Sequence, residues 1–336
     1  MSTTSVEPRV SVIIPLYNMG AYIGACLDSV LAQTFSDWAA WVVDDGSQDD
    51  GPAIAKRYAA THPGRIHYLE HAGHANRGVS ASRNLALDHA RGEFVAFLDA
   101  DDLWAPDKLE KQVGVLDDHP EVGLVYSSAR PIRGDGKPWF PTDSEAPVKI
   151  VFSRKGEPRV GYGIPNQPVA LFDELVRHCC LVNSTVIVRR AVLDKAGRFD
   201  ESMRYCEDWL LYTCVAYHAK CWFLEVPLAD YRIHSQHFSS SILHNDLARL
   251  QGAMMFLQKL PERLGARDPK LDSLLAQARA ALFGRSMTAA EDAWYRDERN
   301  NAFTLAKFAW KTNPGLFFSR RTVRFIRAIL VGSQGS

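Results

Sequence analysis

The sequence predicts an α/β protein with a mostly parallel central sheet, followed by a helical extension at its C-terminus. From Val10 to about residue 128, short β-branched or aromatic runs alternate with amphipathic helical stretches, which is the pattern of strands joined by crossover helices. These runs are apolar at consecutive positions, as strands covered on both faces are. Beyond about residue 240 the periodicity indicates helices only.

Local signals mark the elements of the predicted sheet. The first strand is VSVII, which Pro15 ends, and a helix follows over residues 21–34 because its apolar side chains recur on one face. The second helix is predicted to start at Pro52 and to end before Pro63. The remaining predicted elements are the strands WAAWVVDD, RIHYLE, EFVAFLD and VGLVYSS and helices over residues 79–90 and in APDKLEKQVGVLDDHP.

The regular pattern stops between about residues 131 and 170, where seven prolines and several glycines occur. Long segments of this kind in compact domains are typical of functional loops. Regularity returns with a predicted helix near 170–178 and a strand over STVIVRR. A helix around 208–218 and strands around 222–233 follow.

Composition and charge exclude several classes of protein. The 336 residues include 39 basic and 39 acidic side chains, so no net charge favours nucleic acid as a partner. The six cysteines form no CxxC pair, which favours a reducing compartment. With no signal peptide and no run of about 18 apolar residues, we expect a cytoplasmic protein.

Acidic residues follow two of the predicted strands. Asp44 and Asp45 end the second strand, and Asp99, Asp101 and Asp102 end the fourth. In a parallel sheet these ends share one edge, where ligands bind. Clustered carboxylates there are best explained by a cation, and Asp99-x-Asp101 suits Mg²⁺ or Mn²⁺ bridging a diphosphate. The alternative is an acidic loop that caps the following helix.

Six segments together carry a family resemblance. They are VSVIIPLYN (10–18), DSVLAQTF (28–35), VVDDGSQDD (42–50), NRGVSASRNLAL (76–87), GEFVAFLDADDLWAPDKLEKQ (92–112) and CEDWLL (206–211). With these segments, the chain resembles the family-2 glycosyltransferases of the GT-A fold, a Rossmann-like nucleotide-diphospho-sugar transferase fold. The match is dense from 10 to about 130, thinner to about 235 and absent from the last 100 residues.

The resemblance implies a nucleotide-sugar site. Pro15, Tyr17 and Asn18 would line the nucleoside pocket, and Asp45 would accept a hydrogen bond from the base. Arg83 would approach the nucleotide or stabilise the acidic cleft. Three alternatives stay open from the residues alone: Tyr17 could be a packing aromatic, Asn18 could cap the next helix, and Arg83 could pair with Asp44.

The resemblance also implies a metal and a general base. Asp101 would bind the metal, Asp99 would face the ribose or the metal, and His234 of the segment YRIH would be a third metal ligand, with Mn²⁺ or Mg²⁺ as the cofactor. Asp208 would be the base, with its neighbour Glu207 as the rival. Both could instead be first-turn acids favoured by the helix dipole.

The implied reaction is the inverting transfer of a sugar from a nucleotide-diphosphate donor, with UDP expected, to a saccharide or lipid-linked acceptor. Its setting would be cell-surface polysaccharide or glycolipid synthesis. A module that binds the nucleotide sugar without transferring it is the alternative. Residues 1–130 would form the nucleotide-sugar-binding half, 131–240 the acceptor-binding and catalytic half, and 241–336 the helical extension.

The last part of the chain has an unusual charge distribution. From Asn300 onward it contains no acid, but six basic residues interleaved with aromatic ones. A basic aromatic helix can lie on an anionic membrane surface, so residues 300–336 are predicted either to make peripheral contact with the inner face of the membrane or to pack on the domain.

Overall fold

A computed structural model describes most of the chain. The described residues are 7–139, 150–152, 158–160, 163–234, 246–265, 269–296, 298–316 and 318–332. The predicted irregular segment at 131–170 therefore falls partly outside them.

The described strands form one eleven-stranded mixed sheet. They are β1 Val10–Leu16, β2 Trp38–Asp44, β3 Ile66–Glu70, β4 Phe94–Phe97, β5 Leu103–Trp104, β6 Val122–Arg133, β7 Ile150–Phe152, β8 Pro158–Val160, β9 Pro168–Val169, β10 Ile187–Arg189 and β11 Lys220–Ile233. Eight of them run in the order β3-β2-β1-β4-β10-β6-β11-β5. The first four are parallel, and β10 lies antiparallel between β4 and β6.

Helices join the strands and form the C-terminal part. They are α1 Gly20–Leu31, α2 Gly51–Thr61, α3 Val79–His89, α4 Lys108–Asp118, α5 Phe172–Arg177, α6 Arg190–Ala196, α7 Glu207–His218, α8 Asp246–Leu264, α9 Pro269–Tyr295, α10 Arg299–Thr312 and α11 Arg320–Gly332. Within the described ranges, no helix is both long and apolar enough to cross a bilayer.

The predicted fold class is confirmed, with several differences in detail. Pro15 does not end the first strand, because β1 pairs with β2 as far as Leu16. The strand predicted over VGLVYSS continues to Arg133, and the strands predicted around 222–233 are one strand of 14 residues. The two strands pair in parallel along this length, with register shifts around Pro227. The hydrogen bonds of this long pairing stabilise both strands, although each contains a proline that cannot donate one. The predicted strand EFVAFLD is shorter, because the ladder with β1 ends at Phe97.

The chain divides into two compact units. The first consists of residues 1–172 and 180–240, and the second of 173–179 and 241–336. In the first, the core is built from strand residues with no solvent exposure, among them Val12, Ile14, Phe94 and Val125. Because these residues are buried, the strands are held in place, and the polar residues that follow them have defined positions.

Candidate active site

Three parallel strand ends create a polar edge in the first unit. β2, β1 and β4 are neighbours, so their carboxyl ends lie side by side. The backbone amide of Asp45 donates to the carbonyl of Leu16 at 2.8 Å, and that of Leu98 donates to Ile13 at 3.0 Å. These bonds tie the residues just after β2 and β4 to β1.

Asp45 lies buried under the segment that precedes α3. Its carboxylate accepts hydrogen bonds from the backbone amides of Arg77 at 2.6 Å and Gly78 at 2.9 Å. The Nε2 atom of His71 lies 3.6 Å away. A carboxylate has about four acceptor positions, so these contacts leave capacity for a further donor such as a base N–H.

The residues predicted for the nucleoside pocket lie at the end of β1. Pro15 is half-buried opposite Val43, while the ring of Tyr17 is 47% exposed. Asn18 has a left-handed backbone (φ 52°), and its side-chain oxygen accepts a 2.7 Å hydrogen bond from the amide of Gln48. The N-cap of α1 is Met19, so the interpretation of Asn18 as a helix cap is wrong.

Arg83 joins two carboxylates from distant parts of the chain. Its guanidinium donates through Nη2 to Asp99 Oδ1 and through Nη1 to Glu207 Oε1, both at 2.9 Å. Burial alone would lower the pKa of this guanidinium, but the charges of Asp99 and Glu207 raise it. Arg83 therefore stabilises the acidic cleft, and the alternative of a pair with Asp44 is wrong.

A polar segment just before β10, residues 183–185, holds the acidic loop from the other side. Asn183 donates to Asp99 Oδ1 at 2.8 Å and accepts from the Tyr212 hydroxyl at 2.6 Å. The hydroxyl of Ser184 donates to Asp102 Oδ2 and accepts from the amide of Asp99 at 3.1 Å. Sequence reasoning missed Asn183 and Ser184, whose only signal is their place ahead of an apolar run.

Asp101 lies beside His234. Its Oδ2 atom is 3.0 Å from His234 Nε2, and both side chains are buried. Arg232 donates through Nε to the carbonyl of Asp101 at 2.7 Å, and its guanidinium stacks on Tyr22 at 4.9 Å. The end of strand β11 therefore places the guanidinium of Arg232 and the imidazole of His234 beside the acidic loop. The role of His234 as a metal ligand stays a prediction.

Asp102, the third acid of the loop, has a structural position. It is fully buried and accepts a 2.8 Å hydrogen bond from the amide of Arg232. Burial raises its pKa well above the usual range, and the neighbouring charges of Asp101 and Asp99 add to this. Asp102 therefore connects the loop to β11.

Glu207 and Asp208 occupy the first turn of α7 but have different surroundings. Glu207 is buried against Arg83, whereas Asp208 is half-buried. Burial, together with the charge of Asp208, raises the pKa of Glu207 to about 7. Burial also raises the pKa of Asp208, which Arg83 opposes. The carboxylate of Asp208 accepts a 2.7 Å hydrogen bond from the backbone amide of Trp209.

We expect the free energy of unfolding to depend on pH through Glu207. Its pKa is about 7 in the folded state and about 4.5 when unperturbed, so the folded chain binds this proton more tightly. Its contribution is present below pH 4.5 and is lost as the pH rises through 7, by up to about 3 kcal/mol. Urea unfolding across this window should show a larger loss in wild type than in Glu207→Gln, because the raised pKa values of Asp102 and Asp208 contribute a loss in both proteins. If the free energy of unfolding changed equally with pH in the two proteins, this prediction would be contradicted.

A second group of ligand-type side chains lies at the ends of β2 and β3. Among the described residues, Asp44, Glu70 and His74 bring ligand atoms within 4.8 Å of one another. Asp44 accepts a hydrogen bond from the amide of Ser47 at 3.3 Å, and His74 Nδ1 lies 3.2 Å from its other oxygen. The buried Oδ2 atom of Asp44 accepts no hydrogen bond from the residues that the structure describes.

Comparisons with known proteins show the family of the chain. The Glycosyl transferase family 2 profile matches residues 11–175. An uncharacterized glycosyltransferase of Nostoc sp. is 30% identical over 331 residues, covering 93% of this chain and 97% of that protein. TuaG of Bacillus subtilis, whose name assigns it to teichuronic acid biosynthesis, is 46% identical over 112 residues, which are 33% of this chain and 42% of TuaG.

A solved structure extends the likeness to the whole fold. The mannosyltransferase PcManGT from Pyrobaculum calidifontis, in complex with GDP-Man and Mn²⁺, superposes with a TM-score of 0.57 at 23% identity. The alignment covers 97% of this chain and 87% of that one. At this identity the likeness shows the fold.

The mixed α/β sheet, its likeness to PcManGT and the sequence relatives thus define a glycosyltransferase with the GT-A fold. The chain belongs to glycosyltransferase family 2.

Proposed function

We propose that this enzyme transfers a sugar from a nucleotide-diphosphate donor, with UDP as the nucleotide, to a hydroxyl of a saccharide or lipid-linked acceptor. The observation that carries the proposal is that Asp45 and Asp99 follow strand ends on either side of β1, while Arg83 joins Asp99 to Glu207, the neighbour of Asp208. The name of TuaG supports a role in cell-surface polysaccharide or glycolipid synthesis.

The residues around Asp101 fit a divalent metal. A carboxylate and an imidazole with atoms 3.0 Å apart offer donors that Mn²⁺ accepts readily and Mg²⁺ in part. Asp101 and His234 would hold the ion, and Asp99 would face the ribose or the metal. When bound, such an ion neutralises the charge of a diphosphate leaving group.

Asp99 is held in place by cationic and amide donors. Arg83 and Asn183 both donate to its Oδ1 atom, which leaves Oδ2 for the donor or the ion. On the nucleoside side, the exposed ring of Tyr17 and the end of β1 near Pro15 and Asn18 offer a face on which a base can stack.

Asp208 would act as the general base. Asp208 is half-buried, and its carboxylate would accept the proton of the acceptor hydroxyl as the oxygen attacks the anomeric carbon. Attack opposite the leaving group inverts that centre, by the same logic as in inverting glycosidases. Glu207 is unsuited to this role because it is buried and bonded to Arg83.

A thermal-shift panel tests the donor and the metal together. UDP, GDP, CDP and dTDP would each be added with Mn²⁺, Mg²⁺ or EDTA. We expect UDP with metal to raise the melting temperature, because ligand at about 100 times its Kd stabilises by about 2.7 kcal/mol.

Two variants test whether the metal-dependent rise needs a carboxylate of the proposed site or is also lost with a surface carboxylate. Asp101→Ala should lose the metal-dependent rise. Asp107→Ala should keep it, because Asp107 is exposed and paired only with Lys111 on the helix surface. The absence of a rise with any nucleotide and metal would refute the proposed donor site, and a rise with GDP alone would correct the nucleotide.

A further inference from the structure

The second unit exposes large apolar side chains around the start of its last helix. Among the described residues, Phe318 is 88% exposed, Val323 44% and Ile326 39%. Val323 and Ile326 are three positions apart in α11 and therefore share a face. A single exposed apolar residue is ordinary on a protein surface, but three within nine positions form a contiguous feature of the chain.

An adjacent face of α11 is anchored in the unit. Phe325 and Thr322 are buried, Phe325 contacts the ring of Trp294 edge-on at 6.3 Å, and Thr322 accepts a hydrogen bond from Trp310 Nε1 at 3.3 Å. The helix is thus held by one side, and the exposure of Val323 and Ile326 is a consequence of this packing.

Positive charge surrounds these apolar residues. From Arg299 to the end, the chain has seven basic residues and no acid. Arg320, Arg321 and Arg324 are exposed at the start of α11. The acid that faces Arg324 from α9 is Glu291, and the two form an ion pair, so the surplus charge is positive.

A cavity of about 740 Å³ opens beside the first turn of α11. Its polar lining includes Arg285, Arg320, Arg321, Thr288 and Ser319, together with Asp292. Arg321 donates a hydrogen bond to the carbonyl of Gly284 at 2.5 Å. The guanidinium of Arg321 lies close to Gly284, since a Cβ atom added there would be 3.1 Å from Nη1. Guanidinium and hydroxyl groups in a cavity of this size suit a phosphodiester group.

We propose that Phe318, Val323, Ile326 and Arg320, which we call the basic apolar face, dock this enzyme on an anionic lipid surface. Apolar side chains enter the boundary of the acyl chains, and arginines pair with lipid phosphates, as in helices that lie in a membrane interface. The high positive charge selects an anionic bilayer over an apolar protein partner. This inference is independent of the proposed sugar transfer.

Vesicle co-sedimentation of the full chain tests the proposal. We expect binding to vesicles of phosphatidylcholine mixed with phosphatidylglycerol, weak binding to phosphatidylcholine alone, and release by high salt, because screening weakens exposed charge interactions. Absence of binding to the anionic vesicles, or equal binding to both kinds, would overturn it.

Variants assign the binding to the basic apolar face. The triple variant Phe318→Ser, Val323→Ser, Ile326→Ser should bind at least about tenfold more weakly. Arg320→Glu should weaken binding about 25-fold. The substitution changes the net charge by two units, and each unit is expected to change binding about fivefold. The matched control, Ile164→Ser with Val226→Ser, removes exposed apolar residues of the first unit and should bind as wild type.

Two further measurements check the folding and the oligomeric state of the triple variant. Its nucleotide-dependent thermal shift should equal that of wild type, which shows that it folds and that donor binding does not depend on the face. Light scattering should give the same mass for wild type and the triple variant. A change from dimer to monomer in the variant, without vesicle binding by wild type, would show that a second copy covers the face.

Discussion

Asp208→Asn is expected to lower sugar transfer by roughly 10²–10⁴-fold, the usual contribution of a general base. Asparagine has nearly the same shape but cannot accept the proton of the acceptor hydroxyl. Because the loss falls on proton transfer, kcat should drop while the Kd for the nucleotide stays near its wild-type value. Steady-state kinetics and the thermal shift with UDP and metal measure the two quantities separately.

Glu207→Gln is the comparison that assigns the base to one of two adjacent residues. Glu207 is bonded to Arg83 and buried, so its replacement should alter stability and its pH dependence more than kcat. If Glu207→Gln abolished transfer and Asp208→Asn did not, the roles would have to be exchanged. Wild-type transfer in Asp208→Asn, or nucleotide binding without any transfer by wild type, would favour the non-catalytic binding module.

Arg83→Met is expected to destabilise the protein by about 3–5 kcal/mol, the usual cost of removing one partner from a buried ion pair. The change leaves Glu207 and Asp99 without their shared cation, and the side chain of Glu207 is only 9% exposed. Urea unfolding at pH 7 measures the loss. Adding Glu207→Gln to Arg83→Met should restore part of it, because the amide carries no charge to be left unpaired.

Arg9→Met is the matched surface control for this prediction. Arg9 also joins two carboxylates, those of Glu93 and Asp117, but all three side chains are at least 36% exposed. Removing an exposed pair costs about 0–1 kcal/mol. Similar losses for Arg83→Met and Arg9→Met would contradict a special role for the buried cation.

The alternation of apolar runs and helical stretches was enough to predict the fold class. It identified β1 to β4 because each is a short, mostly apolar run, followed by acids in β2 and β4, although β1 continues through Pro15 to Leu16. It did not predict that β10 lies antiparallel between β4 and β6, or that β6 and β11 continue through their prolines. Strand order and pairing length depend on contacts between residues about 100 positions apart, which local periodicity does not contain.

The candidate site divides in the same way. Asp45, Asp99 and Asp101 are visible in the sequence because they follow strands, and the family resemblance named Arg83, Asp208 and His234. Asn183 and Ser184 were not found, since a short polar segment before a strand has no distinctive pattern. Their role depends on β10 entering the sheet beside β4, which places them against Asp99 and Asp102.

By itself, the sequence determined which acids stand at strand ends and that two more begin α7, because residue type and order are local properties. Only the tertiary structure decided what each acid does there. Glu207 and Asp208 are about 100° apart around the helix, and the orientation of α7 turns Glu207 towards Arg83 and leaves Asp208 half-exposed. That orientation comes from packing of the buried residues of α7, and burial then sets the charge and the access of each carboxylate.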